Sequence, residues 1–146
     1  MRETRELMYD DLVAGHEFPS VQYEITEDQV AKYVEAVEDR HPLYVDEDYA
    51  RRSKYGQPIA PPTIAALVTT LRVVLGEVSI PPGTIHARQY FRFIRPIKAG
   101  DKLKITIKLA DKYVQRGKKL MVFESLVRNE RDEEVVLARI TGSWPR

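Results

Sequence analysis

The sequence predicts an α+β protein in which an antiparallel β-sheet wraps around a long central helix. One observation is the segment APPTIAALVTTLRVVLG, whose apolar residues cover most of the circumference of a helix. A helix this apolar must be enclosed by other structure. The other observation is that the hydrophobic period changes to two after Gly83, with short turns between the runs. Short turns favour antiparallel neighbours, so the second half of the chain is expected to supply the enclosing sheet.

A strand followed by a helix is predicted near the N-terminus. Polar and apolar residues alternate over residues 21–25, as in a strand with one buried face. Thr26 and Gln29 have the spacing of a capping box, which begins a helix. Apolar residues then follow at helical spacing, so one face of this helix is expected to be buried. They are Val30, Tyr33, Val34 and Val37.

A loop containing a proline separates this helix from a second, shorter one. Pro42 restrains His41 to an extended conformation, so the first helix is expected to end near residues 39–40. Asp46 is suited to cap the second helix, which is expected to continue to about Lys54.

The central helix is predicted to run without interruption from Pro62 to Leu75. Proline is tolerated in a first helical turn, and Gly76 suits the end of the helix. The alternating pattern then predicts the strands of the sheet, which are expected over residues 86–95, 103–109, 119–128 and 134–144.

The overall composition is that of one soluble globular domain spanning residues 1–146. Hydrophobic residues make up 43% and charged residues 31%, and 23 basic residues balance 22 acidic ones to a net charge of +1. Such a balance gives no general attraction to nucleic acid or to an anionic membrane. There is no cysteine, which favours a cytoplasmic location, and the N-terminus is too charged for a signal peptide.

No cofactor or metal site is predicted. The three histidines, His16, His41 and His86, lack metal-ligand spacing, and no glycine-rich phosphate loop or nucleophile elbow is present. The longest apolar run, over residues 64–75, is interrupted by polar residues and is shorter than the ~20 residues of a membrane span. No membrane or nucleic-acid partner is therefore expected.

Three stretches, in order, resemble one family. DRHPLYVDEDYA, YGQPIAPPT and FRFIRPIKAGDKL are similar to the MaoC-like dehydratases of the hot-dog fold, and most similar to the N-terminal, FAS1-like dehydratase branch. The resemblance extends from about Tyr23 to Thr141. It implies a hot-dog fold, dimers or fused pairs of hot dogs, and acyl thioester substrates on CoA or acyl carrier protein. The implied reaction is the reversible hydration of a trans-2-enoyl thioester to the (3R)-hydroxyacyl form.

The first stretch departs from the family's catalytic signature, Asp-x-Asn-Pro-x-His. Asp39 and Pro42 match it, but His41 occupies the Asn position and Tyr44 the position of the catalytic His. In catalytic members the Asp and the His hold a water molecule and exchange protons with the substrate. A tyrosine with an unperturbed pKa near 10 is a poor base at neutral pH.

The second stretch, YGQPIAPPT, also departs from the family's pattern. Active members have a His-Gly pair where this chain has Pro61 and Pro62, and the glycine N–H helps to polarise the thioester carbonyl. Proline has no N–H, so this donor is absent, although the N–H or the hydroxyl of Thr63 is placed to replace it in part. Loss of one such donor typically lowers the rate by about 10²–10³. The resemblance thus assigns substrate-binding roles to Pro61, Pro62, Thr63 and His86.

Structural roles compete with these assignments. Asp39 could end a helix or pair with an arginine, and Tyr44 could be a packing residue with a hydrogen-bonded hydroxyl. His41 could replace the missing base, oriented by Asp39. His86 could be a satisfied residue at a strand end or could line a pocket.

Three functional hypotheses remain open from the sequence. In the first, the chain is the acyl-thioester-binding subunit of an enoyl-CoA/ACP hydratase or (3R)-hydroxyacyl dehydratase, and a catalytic MaoC-type partner performs the chemistry. In the second, it is a homodimeric acyl-thioester-binding module without turnover. In the third, it is a self-sufficient hydratase that uses Asp39 and His41.

Overall fold

The computed structural model describes residues 5–145, which form a five-stranded antiparallel β-sheet with short helices against one face. In space the strands lie in the order β1-β3-β4-β5-β2. Their bounds are Val21–Glu24 (β1), Ile85–Phe93 (β2), Lys102–Gln115 (β3), Lys118–Arg128 (β4) and Glu134–Trp144 (β5). The predicted α+β class and the antiparallel meander are confirmed, with β3 extending six residues past its predicted end.

The helical elements are short. They are α1 (Glu27–Val37), α2 (Pro42–Val45), α3 (Glu47–Arg52), α4 (Ala65–Thr69) and α5 (Leu71–Val74), with 3₁₀ turns at Tyr9–Asp11 and Pro62–Ile64. Element α2 was missed in the sequence, although a proline at its first position, preceded by a capping side chain, is a favourable start for a helix. Helix α3 ends at Arg52, two residues earlier than expected.

Helix α1 begins as the sequence predicts and ends slightly earlier. The Thr26 hydroxyl accepts from the Gln29 N–H at 3.1 Å, and the Gln29 side-chain oxygen accepts from the Thr26 N–H at 3.0 Å. At the other end Glu38 adopts a left-handed conformation with φ 55°, which ends the helix at Val37. The loop that carries Asp39 therefore starts two residues before the predicted boundary.

The central helix is not continuous, which corrects the prediction of one helix from Pro62 to Leu75. The chain passes from a 3₁₀ turn into α4 and then breaks at Thr70, where ψ is 142° instead of a helical value. The neighbouring Thr69 hydroxyl donates to the carbonyl of Ala65 at 2.8 Å. Back-bonding of this kind bends helices, and consecutive β-branched residues restrict side-chain rotamers in a helix. Two threonines in succession are thus a physical reason for the break.

The core lies between one face of the sheet and these helices. Alternate residues of β3 are fully buried while their neighbours are exposed lysines and a threonine, as the period of two predicts. The helical segment contributes buried side chains from its inner face. These are Ile64, Ala65, Val68, Leu71, Val74 and Leu75. Its outer face is open within the described chain, since Pro62, Thr63, Ala66 and Leu67 are exposed.

Strand β2 forms one edge of the sheet. It pairs with β5 on one side, and no strand of residues 5–145 pairs with its other side. Several of its large side chains are exposed, including Ile85, Tyr90 and Phe93 at 61%, 50% and 46%. A long edge strand with exposed apolar side chains is a surface that proteins usually cover.

Candidate functional site

The loop after α1 places Asp39, His41 and Tyr44 close together. His41 caps α2, since its Nδ1 accepts a hydrogen bond from the backbone N–H of Leu43 at 3.1 Å. The His41 ring also lies against the Tyr44 ring, with a centroid separation of 5.5 Å. A neutral imidazole whose Nδ1 accepts carries its proton on Nε2. In this arrangement the lone pair of the His41 Nδ1 is used by the Leu43 N–H.

Tyr44, to which the sequence resemblance gives the place of the catalytic histidine, has a phenol with a raised pKa. Its side chain is half-buried against the core. Burial raises the pKa of the Tyr44 phenol above 10, and the negative charge of Asp39 raises it further, with a smaller contribution from Tyr55. The phenol can therefore donate a hydrogen bond at neutral pH, but its basic phenolate form is scarcer there than that of an exposed tyrosine.

Asp39 lies at the exposed end of α1, where its N–H donates to the carbonyl of Val34 at 3.3 Å. Its neighbour Arg40 binds both carboxylate oxygens of Glu35 at 2.7 Å. Asp39 thus has the helix-end position that a structural role predicts. Its negative charge is near enough to Tyr44 to raise the pKa of the phenol.

The two prolines form a rigid entrance to the helical segment. Pro61 is buried and precedes the 3₁₀ turn, in which the Ile64 N–H donates to the Pro61 carbonyl at 2.9 Å. Because neither proline has an N–H, Thr63 is the first residue here that can donate one. The Thr63 hydroxyl is exposed and lies 2.7 Å from the phenolic oxygen of Tyr33 on α1.

A cavity lies at the far end of the helical segment, beside the break at Thr70 and the sheet. It has a volume of about 680 Å³, in the range of small-molecule binding pockets. Its apolar walls include Leu71, Val78, Ile80 and Ile140. His86 lines it as well.

The predicted site residues do not share one cavity. Tyr44 lines a cleft of about 540 Å³ between α1 and the loop, together with Val30, Val34 and Ile59. Pro62 lines a smaller one of about 200 Å³ that ends at Phe93 on β2. Asp39, His41 and Tyr44 therefore come together, and so do Pro61, Pro62 and Thr63, while His86 belongs to the far cavity.

Two features of this region were not identified in the sequence. Tyr33 appeared only as one of the apolar residues of α1, and its partner Thr63 lies 30 positions away, too far for a local pattern. The break at Thr70 had a local signal, the pair of threonines, but the surrounding apolar run outweighed it.

The fold and this site define a hot-dog protein, and the comparison with family models identifies which kind. The model of the FAS1-like dehydratase domain region matches residues 12–138. The chain therefore belongs to the FAS1-like dehydratase family, and the resemblance to MaoC-like dehydratases found in the sequence is confirmed.

Individual proteins agree with this assignment. A UPF0336 protein of Streptomyces griseus is 32% identical over 127 residues, which is 82% of this chain and 83% of that protein. The solved structure of R-hydratase PhaJ1 from Pseudomonas aeruginosa is 26% identical, with a TM-score of 0.72, covering 94% of this chain and 85% of the hydratase. The HadBC complex of Mycobacterium tuberculosis, a (3R)-hydroxyacyl-ACP dehydratase, has a TM-score of 0.72 at 24% identity. The match covers 87% of this chain and 92% of that chain, and it supports the fold.

Two other kinds of feature, membrane-spanning helices and metal sites, are absent from the described residues. Among residues 5–145, no helix is long and apolar enough to cross a membrane. The same residues contain no group of three His, Cys, Asp or Glu side chains placed to hold a metal ion.

Proposed function

We propose that this chain is the acyl-thioester-binding subunit of an enoyl-CoA/ACP hydratase or (3R)-hydroxyacyl dehydratase, and that a partner hot dog supplies the acid/base pair. The observation that carries the proposal is the state of the two side chains that would have to act as the base. The Nδ1 of His41 accepts the Leu43 N–H as a helix cap. Burial and the negative charge of Asp39 raise the pKa of the Tyr44 phenol, so its base form is scarcer at neutral pH.

Hydration of an enoyl thioester places the hydroxyl of water on C3 and a proton on C2. A base must take a proton from the water as it attacks, and a donor must stabilise the negative charge that develops on the thioester oxygen. His41 would have to release the Leu43 N–H before its Nδ1 could serve as the base. The replacement of the family's Gly N–H by Pro62 removes a donor as well. This chain's own site therefore supports binding better than chemistry.

The far cavity supports the binding role. Its apolar walls suit the tail of an acyl chain, which has no polar groups to satisfy. Ile85 and His86, at the start of the edge strand β2, are among its lining residues. If a second hot dog pairs antiparallel with β2, the start of one β2 strand comes near the end of the other. A substrate held at the partner's site could then extend its tail into this cavity.

The free edge of β2 supports a paired assembly. A second strand placed there would satisfy its backbone groups and cover the exposed Ile85 and Phe93. Either a second copy of this chain or a different hot dog fits this description. The HadBC complex, a structural neighbour, favours a different chain as the partner.

The proposal is tested by measuring turnover and binding on the same preparation. Hydration of crotonyl-CoA is followed for the purified chain and for the chain co-expressed with a hot dog that has an intact Asp…Asn-Pro…His signature. We expect binding of acyl-CoA but little or no hydration by the chain alone, and hydration by the pair.

The variants Asp39→Asn and His41→Ala discriminate between the hypotheses. In the paired preparation we expect both to leave turnover close to that of the unmodified pair. Fast hydration by the chain alone, abolished by both substitutions, would instead establish the self-sufficient hydratase. Binding without turnover in every preparation would establish the non-catalytic module.

A further inference from the structure

The lining of the far cavity combines apolar walls with a set of hydrogen-bond donors. Arg72, on α5, and His86, at the start of β2, both line the cavity and are both exposed. Thr70 and Ser79, which carry hydroxyl groups, line it as well. The methylene groups of an acyl chain suit the apolar walls, but they offer these donors no acceptor. A ligand that satisfies the whole lining therefore carries an acceptor group as well as methylene groups.

The charge of this lining is positive and is not compensated. Arg72 is its one permanently charged residue, and none of the lining residues is an aspartate or a glutamate. No ion pair joins Arg72 to a carboxylate within residues 5–145. By contrast, three glutamates line the cleft that contains Tyr44. Arg95, which lines the smallest of the three cavities, has its Nε 3.2 Å from a carboxylate oxygen of Glu133.

We infer that the acyl chain received by the far cavity ends in a carboxylate, which Arg72 binds while the apolar walls hold the methylene groups. This inference rests on the proposed function, since it names the class of acyl thioester that the cavity takes, an ω-carboxyacyl thioester. The planar guanidinium group matches the two oxygens of a carboxylate and binds them through parallel hydrogen bonds. Because Arg72 is exposed, the paired charges keep access to water and need not be buried among the apolar walls.

The test compares two ligands that differ only in the last carbon of the acyl chain. Dodecanoyl-CoA ends in a methyl group, and dodecanedioyl-CoA ends in a carboxylate. Dissociation constants of both are measured by calorimetry for the wild-type protein and for Arg72→Gln, which removes the charge. We expect Arg72→Gln to weaken dodecanedioyl-CoA binding by roughly 3- to 10-fold, as for one solvent-accessible ion pair with good geometry, and to leave dodecanoyl-CoA binding unchanged. The variant Arg72→Lys, which keeps the charge, should bind dodecanedioyl-CoA more tightly than Arg72→Gln does.

A second arginine provides the matched control. Arg88 is also exposed, and it lies on β2 opposite Thr141 of β5, but it is not among the residues that line the cavity. The substitution Arg88→Gln makes the same change of charge and should leave both affinities unchanged. Added salt should weaken dodecanedioyl-CoA binding more in the wild type than in Arg72→Gln, because salt screens a solvent-accessible ion pair.

Butyryl-CoA separates the carboxylate from a second source of negative charge, the phosphates of CoA. This ligand carries the same phosphates but has a short chain without a carboxylate, so Arg72→Gln should leave its affinity unchanged. A loss for butyryl-CoA as large as the loss for dodecanedioyl-CoA would mean that Arg72 binds a phosphate, and it would overturn the inference.

The remaining failures are also distinguishable. Equal losses for the two dodecyl ligands in Arg72→Gln, or no loss for dodecanedioyl-CoA, would overturn the role of Arg72 while leaving acyl-thioester binding in place. Absence of binding of every ligand to the wild type would contradict the proposed function and this inference together.

Discussion

The helical segment over residues 62–74 meets the rest of the protein differently at its two ends. At the first end, Ile64 and Ala65 are fully buried, and the chain enters through two prolines and a tyrosine–threonine hydrogen bond. At the other end, the helix breaks at Thr70 and leaves a cavity of about 680 Å³. The open end has more space for an apolar ligand than the rigid end. In the proposed function, the open end therefore binds the acyl tail and the chemistry takes place on the partner.

The largest expected effect compares the packing at the two ends. Ile64 is fully buried at the rigid end, whereas Ile80 is half-buried and lines the cavity. We expect Ile64→Ala to lower the free energy of unfolding by about 2–5 kcal/mol, as for other large-to-small core substitutions. Ile80→Ala should lower it by only about 1 kcal/mol, because fewer packed neighbours are lost beside existing space.

Urea unfolding of the two isoleucine variants measures both values. Equal destabilisation would mean that the far end is as tightly packed as the entrance. The contrast between the two ends would then disappear.

A smaller effect concerns the loop beside the entrance. Because burial and Asp39 raise the pKa of Tyr44 above 10, the folded protein keeps this proton at a pH where the unfolded chain has lost it. The stabilisation is fully present below pH 10 and is lost as the pH rises through the folded-state pKa. Stability should therefore fall with increasing alkalinity, and less so in Tyr44→Phe.

An ultraviolet titration of the tyrosines detects this group directly. The difference between the wild type and Tyr44→Phe isolates one phenol among eight tyrosines. Its phenolate should form only above pH 10. Formation below pH 10 would make Tyr44 a usable base and would restore a catalytic role to the loop.

Much of the fold could be predicted because its signals are local. The alternation in β3 reflects one buried and one exposed face, and the capping box of Thr26 and Gln29 needs only three residues. The break at Thr70 was missed because apolar periodicity indicates burial, and burial does not require a continuous helix.

The candidate site was harder to predict because its geometry depends on side-chain directions, which a local sequence pattern does not give. The residue types of Asp39, His41 and Tyr44 could be compared with the family's catalytic signature. The direction of each side chain could not be predicted from the sequence. The use of His41 Nδ1 as a cap depends on the ring orientation after Pro42. The pairing of Tyr33 with Thr63 depends on how α1 packs against the entrance, which is a tertiary property.

The measurement that tests the central claim most directly is a chain-length series of acyl-CoA binding to the variant Val78→Phe. Val78 lines the far cavity, and a phenylalanine there should fill part of it. The same substitution at Val114, which is 61% exposed on β3, is the control. We expect Val78→Phe to weaken binding of dodecanoyl-CoA by at least about tenfold, as for the exclusion of a methylene or more from an apolar pocket, and to leave butyryl-CoA binding unchanged. Equal losses at every chain length in a folded Val78→Phe variant, or no loss at any length, would contradict the claim that this cavity holds the acyl tail.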